Sequence, residues 1–217
     1  MRHLTDWAND GQRADTLFIM LPGALQGPED FVREGFIRAV RERGLPLDLI
    51  MAELSFEQVA EFSALPDMHS HLIEPAQTAG YRHIWLAGIS IGGYIAMAYA
   101  QRYPGWLAGM LLLAPYPGNR MTTGEISAAG GIHRWTPDSL APDDAERGNW
   151  HWLKIHAAEL EVHLSYSADD RFANGHAMMA AALPPEQVTS IAGGHEWPVW
   201  QQLWQQFLDH RFVRPNS

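Results

Sequence analysis

Gly88-Ile89-Ser90-Ile91-Gly92-Gly93 is the stretch that decides the fold. An apolar run, His83-Ile84-Trp85-Leu86-Ala87, leads into it, and an Ala-rich helical pattern, Tyr94 to Tyr103, follows. Strand, sharp turn and helix are the context that a G-x-S-x-G nucleophile turn requires. Such a turn forces its serine into a strained backbone conformation, so Gly88 and Gly92 must be bare for strand and helix to approach. The serine oxygen then stands at the carboxyl end of a strand. The first N–H groups of the helix lie beside it, with a partial positive charge.

Working outward, Thr16-Leu17-Phe18-Ile19-Met20-Leu21 is a continuous apolar run, short enough for a buried parallel strand. It ends at Pro22-Gly23-Ala24. Glu29 to Arg43 reads as one helix, with Phe31, Phe36, Ile37 and Val40 on one face and Gly44 as its stop. Leu47 to Ala52 is the next strand, 53–66 reads as irregular with Phe56 and Phe62, and Met68 to Ala79 as a helix closed by Gly80. Beyond the serine turn and its helix, Leu107 to Ala114 is a further buried strand. The order β-α-β-α-β-α-β implies a parallel sheet with right-handed crossovers.

Residues 115–160 break that rhythm. They are rich in Pro and Gly, Pro142 included, carry Trp135, Trp150 and Trp152, and show no clean helical stripe. They are expected to form a short excursion over the carboxyl edge of the sheet, within a single domain spanning 1–217. Glu161 to Tyr166 returns to the sheet, residues 176–183 read as helical, and Val188 to Ala192 as the last strand. A terminal helix follows, with Pro198 near its first turn and Leu203, Phe207 and Leu208 as its core stripe. Residues 1–15 are polar and read as a lead-in, with a turn at Asp10-Gly11.

Composition narrows the function classes. The chain has 217 residues, 47% of them hydrophobic, which fits a globular domain with a sizeable core. Fifteen basic residues against 25 acidic ones give a formal charge of −10, so no nucleic-acid partner is expected. With no cysteine, disulfides and thiolate chemistry are excluded. Met1 to Asp6 lacks the apolar core of a signal peptide and no apolar run reaches about 18 residues, so a cytoplasmic protein without a membrane span is expected. His69-Ser70-His71 and the pair His151, His156 lack metal-ligand spacing, so no metal is expected.

A serine hydroxyl is a poor nucleophile near neutral pH and needs a base, which needs an orienting acid. His195 is the histidine that lies just after an expected strand and immediately before a helix, and Gly193-Gly194 precede it. For the acid, Asp169 and Asp170 follow the strand that ends near Ser167, and alternation alone does not choose between them. The oxyanion needs two N–H donors. One falls to Ile91, the residue after the nucleophile; the other falls to Ala24, or to Leu25, on the loop after the first apolar strand. Trp135, Trp150, Trp152 and Trp197 are candidates to line the substrate pocket, while Trp200 and Trp204 read as packing residues.

Together these stretches resemble the α/β-hydrolases, specifically a small lidless serine esterase. The resemblance runs from Leu17 to Phe207 and is carried by Leu21-Pro22-Gly23-Ala24, Gly88 to Gly93, Ser167-Ala168-Asp169-Asp170-Arg171-Phe172 and Gly193-Gly194-His195-Glu196-Trp197. Family members often carry G-x-x-D at the acid; here Ser167 takes the glycine's place, and the acid so implied is Asp170. Many also have His-Gly where this chain has Pro22-Gly23. The resemblance implies an α/β-hydrolase fold with a mostly parallel sheet of about six to eight strands. It also implies a Ser90–His195–Asp170 triad that cleaves small or medium carboxylic esters without a cofactor. Acyl thioesters and acyl transfer fit the same site, as more distantly does a non-catalytic binding role. A small-molecule ester or thioester is the expected partner, and the oligomeric state is left open.

Overall fold

The computed structural model describes residues 1–9, 12–61, 63–141 and 143–213. The turn expected at Asp10-Gly11, Phe62 and Pro142 lie outside the described residues. In chain order the elements are β1 (His3–Asp6), β2 (Thr16–Leu21), α1 (Pro28–Arg33), α2 (Phe36–Glu42), β3 (Leu47–Ala52), α3 (Phe56–Ala60), α4 (Ala64–Met68), a π-helical turn (His69–Ile73) and α5 (Glu74–Thr78). There follow β4 (His83–Ile89), α6 (Ile91–Arg102), β5 (Gly109–Leu113), α7 (Arg120–Ala128), α8 (Ala145–His156), β6 (Glu161–Ser167), α9 (Ala173–Ala180), β7 (Val188–Ile191) and α10 (Trp197–Phe212).

Among the described residues seven strands make one sheet, ordered β1-β3-β2-β4-β5-β6-β7. All neighbours run parallel except β1, which pairs antiparallel with β3. The period-two alternation of β2 divides the core. Leu17, Ile19 and Leu21 face the layer built by α4, α5, α6 and α8, while Phe18 and Met20 face α1, α2 and α10. On the second face Leu203, Phe207 and Leu208 of α10 are buried, as their spacing predicts. The crossover from β2 to β3 moves one way along the sheet over one face. That from β4 to β5 moves the other way over the opposite face. The reversal leaves a crevice between the carboxyl ends of β2 and β4, where open α/β sheets hold ligands.

Five expectations need correction. The lead-in contains β1, an edge strand that the apolar-run criterion misses because its residues are alternately exposed and half-buried. The helix expected over Glu29–Arg43 is two helices, broken where Gly35 takes φ +78°. The segment 53–66 is not irregular. Ser55 caps α3 by accepting from the Gln58 N–H at 3.1 Å while Gln58 accepts from the Ser55 N–H at 3.1 Å. Pro66 sits in the first turn of α4, where its missing N–H costs nothing. The helix expected over 176–183 begins earlier, at Ala173.

The excursion, finally, holds two helices. Asn119 caps α7 through the Met121 and Thr122 N–H groups at 2.7 and 3.1 Å, and Asp144 caps α8 through the Arg147 N–H at 3.1 Å. Arg147 bridges the two through Glu125 at 2.6 Å. Their apolar residues are interspersed with Gly and polar side chains, which hides the stripe. No helix among the described residues is long and apolar enough to cross a membrane.

Candidate active site

The turn from β4 into α6 is closed sterically. A Cβ on Gly88 would come within 2.4 Å of the Gly92 backbone, and one on Gly92 within 2.3 Å of the Leu21 carbonyl oxygen. A Cβ on Gly93 would press on Pro115 at 2.8 Å. The first turn of α6 is therefore wedged between the ends of β2 and β5. Ser90 has no freedom in this wedge. It takes φ +52°, ψ −113°, a conformation costly for a non-glycine residue. Its N–H donates to Leu113 O at 2.9 Å, and its carbonyl accepts from Tyr116 N–H at 2.9 Å as well as from the helix. Ile91 is the first residue of α6, so its N–H has no acceptor within the helix.

The structure brings Ser90, His195 and Asp170 together in one line. His195 Nδ1 lies 2.7 Å from Asp170 Oδ2, and His195 Nε2 lies 2.9 Å from Ser90 Oγ. A carboxylate accepts, so Nδ1 carries the proton and Nε2 offers its lone pair to the serine O–H. The Asp170 side chain is fully buried. Burial pushes its carboxyl up, but the hydrogen bond from His195 and that from the Phe172 N–H at 2.8 Å outweigh it. The net shift is below the ordinary carboxylate range, so the group is ionised. Asp169, its exposed neighbour, instead accepts the Gly193 N–H at 3.0 Å. The structure thus separates the two candidate acids: Asp170 bonds the imidazole.

Two aromatic contacts that the sequence reading did not single out hold the imidazole edge-on. Trp200 meets it at 5.0 Å between ring centroids and Phe172 at 5.4 Å, both near perpendicular. Trp200 was legible only as a packing residue; its position just inside α10, five residues past His195, was the available signal. A further histidine, His176 on α9, is fully buried behind the acid and donates Nε2–H to Pro115 O at 2.8 Å. Burial pushes its pKa down, so it is neutral.

The loop after β2 turns back over Gly23–Gln26, where Gln26 N–H reaches Gly23 O at 3.3 Å. The Gly23 N–H is occupied by Gln26 Oε1 at 3.0 Å, so the donors that follow are those of Ala24 and Leu25. Leu25 takes φ +61° and is fully exposed.

The tryptophan expectations fare less well. Trp135 and Trp150 are 1% exposed, with indole N–H groups bonded to Glu125 and to Pro117 O at 2.7 Å each. Neither can line an open pocket. Trp152 borders a cavity of about 190 Å3 with Tyr103 and Leu107, beyond the far end of α6. Twelve helical residues put that end roughly 18 Å from Ser90. Trp197 is half-buried and packs edge-on against Phe31 and Phe36. Trp150 and Trp152 follow the apolar face of α8 into the core, Trp135 reaches it from the connection between α7 and α8, and Trp197 packs at its margin from α10. His69 likewise bonds Tyr99 OH at 2.9 Å and stacks on Tyr103. No cluster of three or more metal-ligating side chains occurs among the described residues.

No protein-family model matches this chain, and no curated protein matches it in sequence. Solved structures do match it over nearly their whole length. The fluorophosphonate-binding serine hydrolase F of Staphylococcus aureus superposes with a TM-score of 0.64 at 14% identity, over 91% of this chain and 84% of that one. A ferulic acid esterase gives 0.60 at 13%, over 95% and 96%. A serine hydrolase without lid from Xanthomonas campestris gives 0.58 at 16%, over 99% and 90%. At such identities the likeness speaks for architecture: the chain has the α/β-hydrolase fold, with a seven-stranded sheet.

Proposed function

We propose that this chain is a serine hydrolase that cleaves small or medium carboxylic esters through an acyl-enzyme. The observation that carries the proposal is the continuous hydrogen-bonded line from Asp170 through His195 to Ser90, 2.7 and 2.9 Å long. Ser90 Oγ forms a bond to the ester carbonyl carbon as its proton passes to His195 Nε2. The oxyanion is received by the N–H groups of Ile91 and Ala24, with Leu25 the alternative to Ala24. Collapse breaks the bond to the alkoxy oxygen, and the leaving alcohol takes the proton from His195. Water, deprotonated by the same nitrogen, then attacks the acyl-enzyme and releases the acid. Asp170 stays ionised and stabilises the imidazolium throughout.

Two features favour a modest, partly apolar ester. The excursion is docked through its buried tryptophans and the Asn149 bond to Tyr94 O at 3.0 Å, and braced within itself by the Arg147–Glu125 bridge, so it is built as packing layer and not as a loose cover. Leu25, Phe56 and Met121, the three most exposed large apolar side chains among the described residues, follow the carboxyl ends of β2, β3 and β5, the edge that carries Ser90. The solved neighbours named above include a ferulic acid esterase and a serine hydrolase without lid, which supports the same reading.

The test is hydrolysis of p-nitrophenyl esters from acetate to palmitate by the wild type and by Ser90→Ala. A maximum at short or medium chains, lowered by about 10⁴-fold in the variant, is expected. Full activity in Ser90→Ala would overturn the reading. Ser90 labelling by a fluorophosphonate with no turnover of any ester would move the substrate to acyl thioesters.

A further inference from the structure

The segments that carry the acid and the histidine are joined by more than the Asp170–His195 bond, and the extra joints converge on one residue. Gly193, two residues before His195, takes φ +122°. Its N–H donates to Asp169 Oδ2 at 3.0 Å. Its carbonyl accepts the hydroxyl hydrogen of Ser167, whose side chain is fully buried. One step earlier, Ala168 N–H donates to Ile191 O at 2.8 Å, the last backbone joint before the strands part. Beyond that point the histidine arm has no ladder to hold it. Residues 167 and 169 supply the missing rungs with side chains, one above and one below the same glycine.

A glycine at positive φ can turn its peptide planes at little cost. A small rotation there would swing His195 Nε2 away from Ser90 Oγ, and a displacement of about 1 Å can cost 10²-fold in rate. Resting on the ester-hydrolase reading, we propose that Ser167 and Asp169 are positioning residues: they hold the two peptide groups that flank the Gly193 Cα, one on each side, and so aim the His195 imidazole. Neither touches a reacting atom. The buried Ser167 bond is shielded from water and is the stronger rung, while the exposed Asp169 competes with solvent and is the weaker one. The hydroxyl of Ser167, standing where the resemblance places a glycine, thereby acquires a use.

A double-mutant cycle with His195→Ala tests this, using p-nitrophenyl acetate and recording kcat, KM and thermal midpoint for each variant. Ser167→Ala is expected to lower kcat about 10- to 100-fold with KM within about threefold of wild type. In the His195→Ala background the same change is expected to have no further effect, because the clamp acts only through the imidazole. Asp169→Ala should lose several-fold in kcat, and Asp169→Asn, which keeps an acceptor oxygen, should restore most of it. An equal loss in both backgrounds would mean a general structural role and overturn the proposal, as would an unchanged kcat in Ser167→Ala. If Ser167→Ala does not fold, the exposed Asp169 pair decides: equal rates in Asp169→Ala and Asp169→Asn would overturn the clamp. Failure of the underlying reading looks different, since His195→Ala itself would then retain wild-type turnover.

Discussion

The turn that carries Ser90 and the turn that carries His195 face each other across 2.9 Å, yet different forces hold them. Around Ser90 the constraint is contact. Gly88, Gly92 and Gly93 leave less room than one methyl group between β2, α6 and Pro115, and the serine is left with its strained φ of +52°. Around His195 the constraint is polar and adjustable: hydrogen bonds to Asp170 and at the N–H and carbonyl of Gly193, with two aromatic edges against the ring. Contact of the first kind is nearly all-or-none, because backbone cannot yield to a Cβ. Tethers of the second kind can be loosened one at a time. Damage at the first turn should therefore appear as lost protein, and damage at the second as lost rate.

Four outcomes would break or sharpen that contrast. The largest belongs to the acid. Asp170→Asn should cost about 10⁴-fold in kcat while the protein remains folded: the amide oxygen keeps the Phe172 N–H, so the NH2 group faces Nδ1 and places the imidazole proton on Nε2, the wrong tautomer. A loss below tenfold would leave the polar turn without its main tether. Next, Gly92→Ala should destabilise by about 3 kcal/mol or more, lowering the thermal midpoint by about 6–12 °C, since backbone atoms of Leu21 and Pro22 block the added carbon. A variant melting like the wild type would show that the wedge is slack.

A gentler effect follows from pH. The folded Asp170 carboxyl titrates below its unfolded value, so its charge favours the folded chain above about pH 4, and that contribution fades as pH falls further. The stability gap between wild type and Asp170→Asn should accordingly narrow between pH 7 and pH 3 in urea melts; a constant gap would contradict the assignment. The smallest change expected is at the ring contacts. Phe172→Leu removes one aromatic edge, worth about 0.5–1.5 kcal/mol, and should slow turnover about 2- to 10-fold.

What could be read in the chain, and what could not, follows the same division. Contact-limited features leave residue-type signatures: the glycines around Ser90, the unbroken apolar runs of β2 and β5, the run of β3 interrupted only by Asp48, and the stripe of α10. Those stretches were legible almost to the residue. Polar features depend on where a side chain points after the last strand residue, which no periodicity fixes. Asp169 and Asp170 could not be separated by alternation for that reason, and the part played by Ser167 was invisible. The tryptophans of the excursion misled because an aromatic near a site and an aromatic in a core look alike in sequence. Edge strand β1 escaped because an edge needs only one apolar face.

The hydrogen bond between Ser90 and His195 joins residues 105 positions apart, and Asp170 lies between them in sequence on a third strand end. No fragment shorter than the span from β4 to α10 can present all three groups, and the crevice also needs β2. Loops of that length close late in folding, after local helices have formed. Turnover during refolding would therefore lag behind the recovery of helical signal, and the proposed ester hydrolysis would serve as a clock for the last event in the chain's assembly.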